Sequence, residues 1–199
     1  MDYRLEQIVN GPAGSHPLLD SLMRHIATGA QPIFIAIIVV WFVYGWLRGK
    51  QQDRRGAISA GIAAAGSLLV NQIIIRLWPR DRPFVTHPQT VHLLLAHKPD
   101  PSFPSDHAAP AFAIAAVLFI LHRRIGILTI ISAAVLCYAR VYSGDHYPGD
   151  VVAGAIVGIV VAVAVVTCLG GLSARVNSLF DQAITLLHIP DRRGDSQPG

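Results

Sequence analysis

The chain has 199 residues, of which 52% are apolar and only 14% charged, with a mean hydropathy of +0.47 and a formal net charge of +4. The apolar residues fall in blocks, which sets aside a soluble protein built on one large core and points to a chain that crosses a membrane several times. The basic excess is no nucleic-acid footprint either, because it is divided among the links between apolar blocks and the C-terminal tail.

In chain order, residues 1–29 place Tyr3, Leu5, Ile8 and Val9, then Leu18, Leu19, Leu22, Met23 and Ile26, at helical spacing around Gly11-Pro12. This predicts two short amphipathic helices at the membrane surface. Five apolar blocks follow: Gln31–Leu47, Ala57–Trp78, Ala108–Leu121, Ile125–Ala139 and Val151–Leu172. The second and fifth reach the ~20 residues that span a hydrocarbon core, whereas the third and fourth are short and need polar ends inside a protein-lined cavity. Residues 79–107 form a long insertion broken by six prolines, a length that marks a functional loop. His87, His92 and His97 in it read as interfacial or substrate-entry residues. Val176, Phe180, Ile184 and Leu187 predict a short amphipathic helix after the fifth block, and the tail from Pro190 reads as disordered. Cys137 and Cys168, at opposite span ends, read as two buried thiols and not a disulfide.

Arg48, Lys50, Arg54, Arg55, Arg123 and Arg124 fill two links, and Arg192 and Arg193 lie in the tail. Placing those segments in the cytoplasm gives five spans, N-terminus out and C-terminus in. The expected fold class is therefore an all-α, polytopic membrane helix bundle with about five transmembrane helices plus N-terminal amphipathic helices. Its expected parts are residues 1–29, a transmembrane domain over 30–172, and a cytoplasmic helix and tail over 173–199.

The remaining polar residues then gather at the outer span ends. Arg76, Arg80 and Arg82 leave the second block, Ser105, Asp106 and His107 open the third, Arg140 closes the fourth, and His146 and Asp150 open the fifth. Charges at membrane depth are costly and mark function by default. Several arginines in one pocket call for a polyanion, since guanidinium forks match phosphate oxygens, and helix starts add further N–H donors. Two histidines suffice for one nucleophile and one proton donor, with Asp150 four residues past His146 to hold an imidazole nitrogen. The reaction class this suggests is phosphoryl transfer to histidine and then to water. Ser105-Asp106 also reads as a plain helix cap, which is compatible with a catalytic His107. Asp145 reads as part of a local turn with Gly144, Asn71 and Gln72 as hydrogen-bonding partners for another helix, and Gly154 and Gly158 as close-packing positions. Trp41, Tyr44 and Trp46 read as an interface belt.

Arg82-Pro83, Pro104-Ser105-Asp106-His107, and the run from Ala139-Arg140 through His146 to Asp150 resemble, in order and with the later spacings intact, the three motifs of the type-2 phosphatidic acid phosphatase superfamily, Lys-x6-Arg-Pro, Pro-Ser-Gly-His and Ser-Arg-x5-His-x3-Asp. The resemblance implies that His146 is the nucleophile, Asp150 orients it, His107 protonates the leaving oxygen, and Arg82, Arg140 and Ser105 hold the phosphate. It implies no metal and no cofactor. Three positions depart from the pattern: Ile75 stands at the motif-one lysine, leaving Arg76 or Arg80 to supply the cation; Ala139 replaces serine; and Asp106 replaces glycine, where it would repel phosphate unless paired with an arginine. Ser-Asp-His preceded by Arg-Asp-Arg-Pro-Phe is similar to the bacterial undecaprenyl-diphosphate phosphatases of the bacitracin-resistance type. That implies a lipid diphosphate substrate, membrane lipids as surroundings, no nucleic acid, and an outward-facing site in the bacterial inner membrane. Phosphatidic acid, phosphatidylglycerol phosphate or a lipid-linked sugar phosphate are alternative substrates, and an anion-binding transporter is the non-enzymatic alternative.

Overall fold

A computed structural model describes residues 1–96, 98–168 and 170–186. His97, Leu187 and the tail with Arg192 and Arg193 lie outside the described residues. Among the described residues the fold is all-helical: α1 (Asp2–Asn10), α2 (Pro17–Leu47), α3 (Gln51–Leu77), α4 (Pro83–Thr86), α5 (Ala108–Leu121), α6 (Arg123–Tyr142), α7 (Pro148–Cys168) and α8 (Gly170–Leu186). Four of these, α2, α3, α6 and α7, are long and apolar enough to cross a membrane, and α5 is a shorter apolar helix.

The second surface helix expected before residue 30 is instead the first part of α2, which runs on without a break through Pro32. Pro17 starts it at a first-turn position where a missing N–H costs nothing. At ~1.5 Å per residue α2 exceeds a hydrocarbon core, so its first turns project past the apolar block. They are held there by Tyr142, whose hydroxyl donates to Asp20 at 2.7 Å.

The shortness of α5 has a structural reason. It packs against α3, α6 and α7, with further contact to α2. Its Ala109, Ala113, Ile114 and Val117 are buried together with Ala60 and Ala63 of α3, Leu136 of α6 and Ala162 of α7. A helix walled by protein needs no full hydrophobic length, because lipid does not reach its ends. Small residues set the spacing: a side chain at Gly154 would come within 2.7 Å of the Ser105 carbonyl oxygen. Gly154 and Gly158 thus let α7 lie directly on the start of α5, the close packing that the sequence implies. Outward faces carry Val40, Leu69, Ile73, Ile131, Ile156 and Val160, which suits a lipid surround. Both cysteines are free, and Cys168 is exposed, not buried. Trp41 is not an interface residue either: it is buried and donates to Asp53 at 3.2 Å.

Candidate active site

Antiparallel packing brings the C-terminal ends of α3 and α6 and the N-terminal ends of α5 and α7 to one end of the bundle, together with α1 and the 79–107 segment. The link from α6 to α7 is a tight turn. Gly144 takes φ +73, and a Cβ there would meet the His92 carbonyl oxygen at 2.8 Å, so the turn needs glycine. The turn delivers Asp145 and His146 inward, both essentially without solvent exposure.

The His146 ring has two unlike sides. Its Nδ1 lies 3.0 Å from the Ser102 carbonyl oxygen, an acceptor that requires the proton on Nδ1. Nε2 is left with its lone pair, 3.3 Å from Ser105 Oγ and 3.2 Å from Arg82 Nη1. Burial pushes the imidazole below its ordinary pKa, which keeps it neutral. The sequence expects Asp150 to hold this ring, and its Oδ2 lies beside Nδ1 at 3.7 Å. Its carboxylate also accepts from Ser102 Oγ, from Tyr147 N at 2.8 Å and from Arg80 Nη1 at 2.8 Å. Asp150 therefore fixes the start of α7 and the segment that carries Ser102, and Ser105 N closes the junction by donating to the Asp150 carbonyl oxygen at 3.0 Å.

Arg82 faces Nε2 directly and Arg140 joins it through Asp145, the two at 5% and 3% exposure. Arg82 Nε donates to Asp100 at 2.7 Å, and its Nη1 donates to the Asp145 carbonyl oxygen at 2.9 Å and lies 3.0 Å from the Asp145 carboxylate. The same carboxylate closes on Arg140 and stands 3.4 Å from His146 Nε2. A single buried carboxylate thus occupies the space between both guanidinium groups and the imidazole. The sequence reading gave Asp145 only a turn role. Its neighbour His146 was the available signal, since the turn that aims one of them inward brings the other with it.

Ser105 joins capping to the site, as the sequence allows: its Oγ is 3.4 Å from Ala108 N and faces Nε2. His107 sits at the first residue before α5, half-buried, with no side-chain hydrogen bond among the described residues. Burial, then the positive charge of Arg140, pushes its pKa down to about 3. Of the two candidates for the motif-one cation, Arg80 is at the site and Arg76 is exposed on the last turn of α3 with no partner among the described residues. Arg80 is committed to Asp150 and to Asp2, both at 2.8 Å, and lies 3.9 Å over the Tyr147 ring. Asp106 has found no arginine. Asn71 Nδ2 and Gln72 Nε2 donate to it at 2.9 and 3.2 Å, which is the helix-to-helix role expected of those amides.

Asp2, Glu6 and Asn10 recur every four residues, so they share one face of α1, and that face lies on the turn between α6 and α7. Asp2 accepts from Gly149 N at 2.8 Å as well as from Arg80. Asn10 donates to the Tyr142 carbonyl oxygen at 2.7 Å and pairs in both directions with the His92 backbone, at 2.8 and 2.9 Å. Tyr3 stacks on His87, centroids 3.7 Å apart. His87 and His92 thereby hold the loop to α1.

The arrangement defines a class: a membrane-spanning helical bundle with a buried polar cluster at one end, in which a neutral imidazole, two buried guanidinium groups and one carboxylate are brought together. The sequence profile of the PAP2 superfamily matches residues 56–173, and the chain belongs to that superfamily. It is a multi-pass membrane hydrolase acting on lipid phosphates. The undecaprenyl-diphosphatase BcrC of Bacillus subtilis (strain 168) is 34% identical over 161 residues, 81% of this chain and 80% of that one. A Bacillus licheniformis protein named as the bacitracin transport permease BcrC is 35% identical over 137 residues, 66% of this chain and 67% of its own. Among solved structures, Aquifex aeolicus LpxE is similar with a TM-score of 0.67 at 25% identity, over 81% of this chain and 92% of that one. A PAP2-type phosphatidylglycerolphosphate phosphatase from Bacillus subtilis shares the fold, with a TM-score of 0.61 at 21% identity over 92% and 87%.

Proposed function

We propose that the protein hydrolyses undecaprenyl diphosphate to undecaprenyl phosphate and inorganic phosphate through a phosphohistidine on His146. The observation that carries the mechanism is the His146 ring itself, with Nδ1 tied to a carbonyl oxygen and Nε2 open toward Arg82, Arg140 and Ser105. The substrate rests on similarity to the undecaprenyl-diphosphatase BcrC over four-fifths of both chains.

In the first step Nε2 attacks the terminal phosphorus, a P–N bond forms, and the bond to the bridging oxygen breaks. His107 gives its proton to that oxygen. In the second step His107 takes a proton from water, which attacks the phosphohistidine and releases phosphate. Arg82, Arg140 and Ser105 hold the transferred oxygens as charge redistributes in the transition state. Arg80 acts on Asp150 and not on phosphate. His107 is neutral in the free protein, so its proton arrives with a singly protonated substrate or is drawn in by the bound dianion. kcat/KM is then expected to fall as pH rises past the second phosphate pKa of about 6. The site faces the outer surface of the inner membrane in this reading, because Arg48, Lys50, Arg55, Arg123 and Arg124 gather at the opposite end.

A transport role, carried in the name of the Bacillus licheniformis relative, is opposed by the core between the helices, where Ala60, Ala63, Ile114, Val117, Leu136 and Ala162 are buried against one another. The test is phosphate release in detergent from undecaprenyl diphosphate, phosphatidic acid and phosphatidylglycerol phosphate, with labelling of the protein quenched in alkaline denaturing detergent. The expected result is preferred turnover of the diphosphate and an acid-labile, base-stable phosphoenzyme that His146→Gln does not form. A preferred phosphatidyl substrate would overturn the substrate, and labelling of His146→Gln would overturn the mechanism.

A further inference from the structure

A cavity of about 510 Å³ shares Arg140 with the site and is lined by Arg24, Thr28, Leu94, Leu95, Ala96 and Arg140. We infer that it is a second phosphate subsite, in which Arg24 and the far side of Arg140 hold the phosphate that is not transferred, so that the protein distinguishes a prenyl diphosphate from a monophosphate.

Arg140 belongs to both spaces. Its Nη2 closes on Asp145 beside His146 Nε2, and its Nη1 donates to the Ala27 carbonyl oxygen of α2 at 3.3 Å. Its Nε, buried with the rest of the side chain, has no hydrogen-bond partner among the described residues. A buried guanidinium N–H without an acceptor is costly, and an anion in the adjoining cavity would relieve it. Arg24 precedes Ala27 by three residues, so its Cα lies ~4.5 Å along the helix axis from the residue that Arg140 touches. Its side chain is exposed and forms no ion pair among the described residues. The two cations thus border one space, whose remaining wall of Leu94, Leu95 and Ala96 offers no carboxylate and suits the first apolar atoms of a prenyl chain. This contrasts with the reacting pocket, where Asp145 and Asp100 already engage both arginines. A terminal phosphoryl group at His146 and its bridging neighbour across Arg140 would make one guanidinium grip two phosphates, a geometry that forked donors serve well.

The inference rests on the diphosphatase reading, and its test separates the two. Farnesyl diphosphate and farnesyl phosphate share a tail and differ by one phosphate. Wild-type, Arg24→Ala and Arg24→Lys proteins are assayed on both, and inorganic pyrophosphate and orthophosphate are compared as inhibitors. Loss of one charge-assisted contact corresponds to roughly a 10-fold or larger rise in KM for the diphosphate. Arg24→Ala should show that rise, and a similar weakening of pyrophosphate inhibition. Farnesyl phosphate turnover and orthophosphate inhibition should stay within about twofold, and Arg24→Lys should recover part of the loss. Equal losses on both substrates, or no loss on the diphosphate, would overturn the subsite. If the wild type cleaves only monophosphates, the diphosphatase reading fails by itself, and the inhibitor pair still decides whether Arg24 recognises a second phosphate.

Discussion

The bundle has a polar cluster at each end, and they are wired differently. At the end away from the site, Asp53 accepts from Trp41 at 3.2 Å and pairs with His122 at 2.6 Å, while Arg54 grips Asp181 through both guanidinium nitrogens at 2.6 and 3.3 Å. His122 and Arg54 each meet one carboxylate there, and the pairs clamp α3 to its neighbours. At the site end, one carboxylate is divided between Arg82 and Arg140, one Arg80 nitrogen is divided between Asp2 and Asp150, and His146 presents a bare nitrogen to the arginines. One-to-one pairing satisfies charges and leaves nothing for a ligand. Shared pairing leaves each guanidinium able to exchange a carboxylate oxygen for a phosphate oxygen. Buried ions in a membrane protein are thus no sufficient mark of a site; the way they share partners is the better one.

Exchanging the histidines would break this contrast most sharply. His146→Ala should lower kcat by on the order of 10³-fold or more, as loss of a nucleophile does, with unfolding temperature little changed. His122→Ala should do the reverse, leaving kcat within about threefold while removing a partner of the buried Asp53, at a cost of about 1–3 kcal/mol in stability. Phosphate release and thermal unfolding, measured on both variants, check the pair. An inactive but stable His122→Ala would mean that the two ends are not functionally distinct.

Asp145 gives the next effect. Its carboxylate holds the place between Arg82, Arg140 and Nε2, which in the proposed mechanism the entering phosphoryl group takes. Asp145→Asn keeps the shape and removes the competing charge, so inhibition by orthophosphate and vanadate should tighten roughly 10-fold, about 1.4 kcal/mol. Weaker inhibition would assign Asp145 the opposite part, that of holding the arginines in position for the substrate.

The difference between the ends was only partly legible in the sequence. Arg82, Ser105, His107, Arg140, His146 and Asp150 stood out because ionisable residues at span ends have no packing reason to be there. Asp145 and Ser102 did not, because a turn residue and a loop serine are ordinary where they occur, and only the φ +73 turn at Gly144 and the return of the 79–107 segment bring them against His146. Arg76 and Arg80 could not be separated by spacing alone; the helix ends at Leu77, which leaves Arg76 on an exposed face and frees Arg80 to turn inward. The α1 contacts were hidden by its amphipathic pattern. The apolar positions drew attention to a membrane surface, while the face that docks is the polar one of Asp2, Glu6 and Asn10.

That docked face has its own pH dependence. Glu6 is fully buried with neither carboxyl oxygen hydrogen-bonded among the described residues, and burial raises its pKa from 4.5 to about 7. With the folded value above the unfolded one, the unfolded chain gives up the proton first. The stability that α1 contributes is therefore complete below pH 4.5, declines as pH rises to about 7, and is level above that. The decline is on the order of 1–3 kcal/mol. Glu6→Gln should remove it, so that the variant unfolds a few degrees higher than wild type at about pH 8 and equally at about pH 4. Unfolding temperature against pH for the two proteins gives the answer, and parallel curves would mean that Glu6 is ionised when α1 is docked.

The smallest effect is expected at Asp106, the residue that most distinguishes the second motif from the family pattern. A carboxylate next to the phosphate pocket would repel substrate, yet Asn71 and Gln72 draw it toward α3 and away from Arg82 and Arg140. Its charge is spent on joining α3 to the start of α5. Asp106→Asn retains an acceptor for one of the two amides and should change kcat/KM by less than about threefold, within the range of one neutral hydrogen bond. Asn71→Leu should be the more damaging of the two, because Asn71 is fully buried and its loss strips Asp106 of its nearest donor. If Asp106→Asn instead raised activity on monophosphates and diphosphates alike by 10-fold or more, the carboxylate would be acting on substrate, and the site end would hold one more shared charge than its hydrogen bonds indicate.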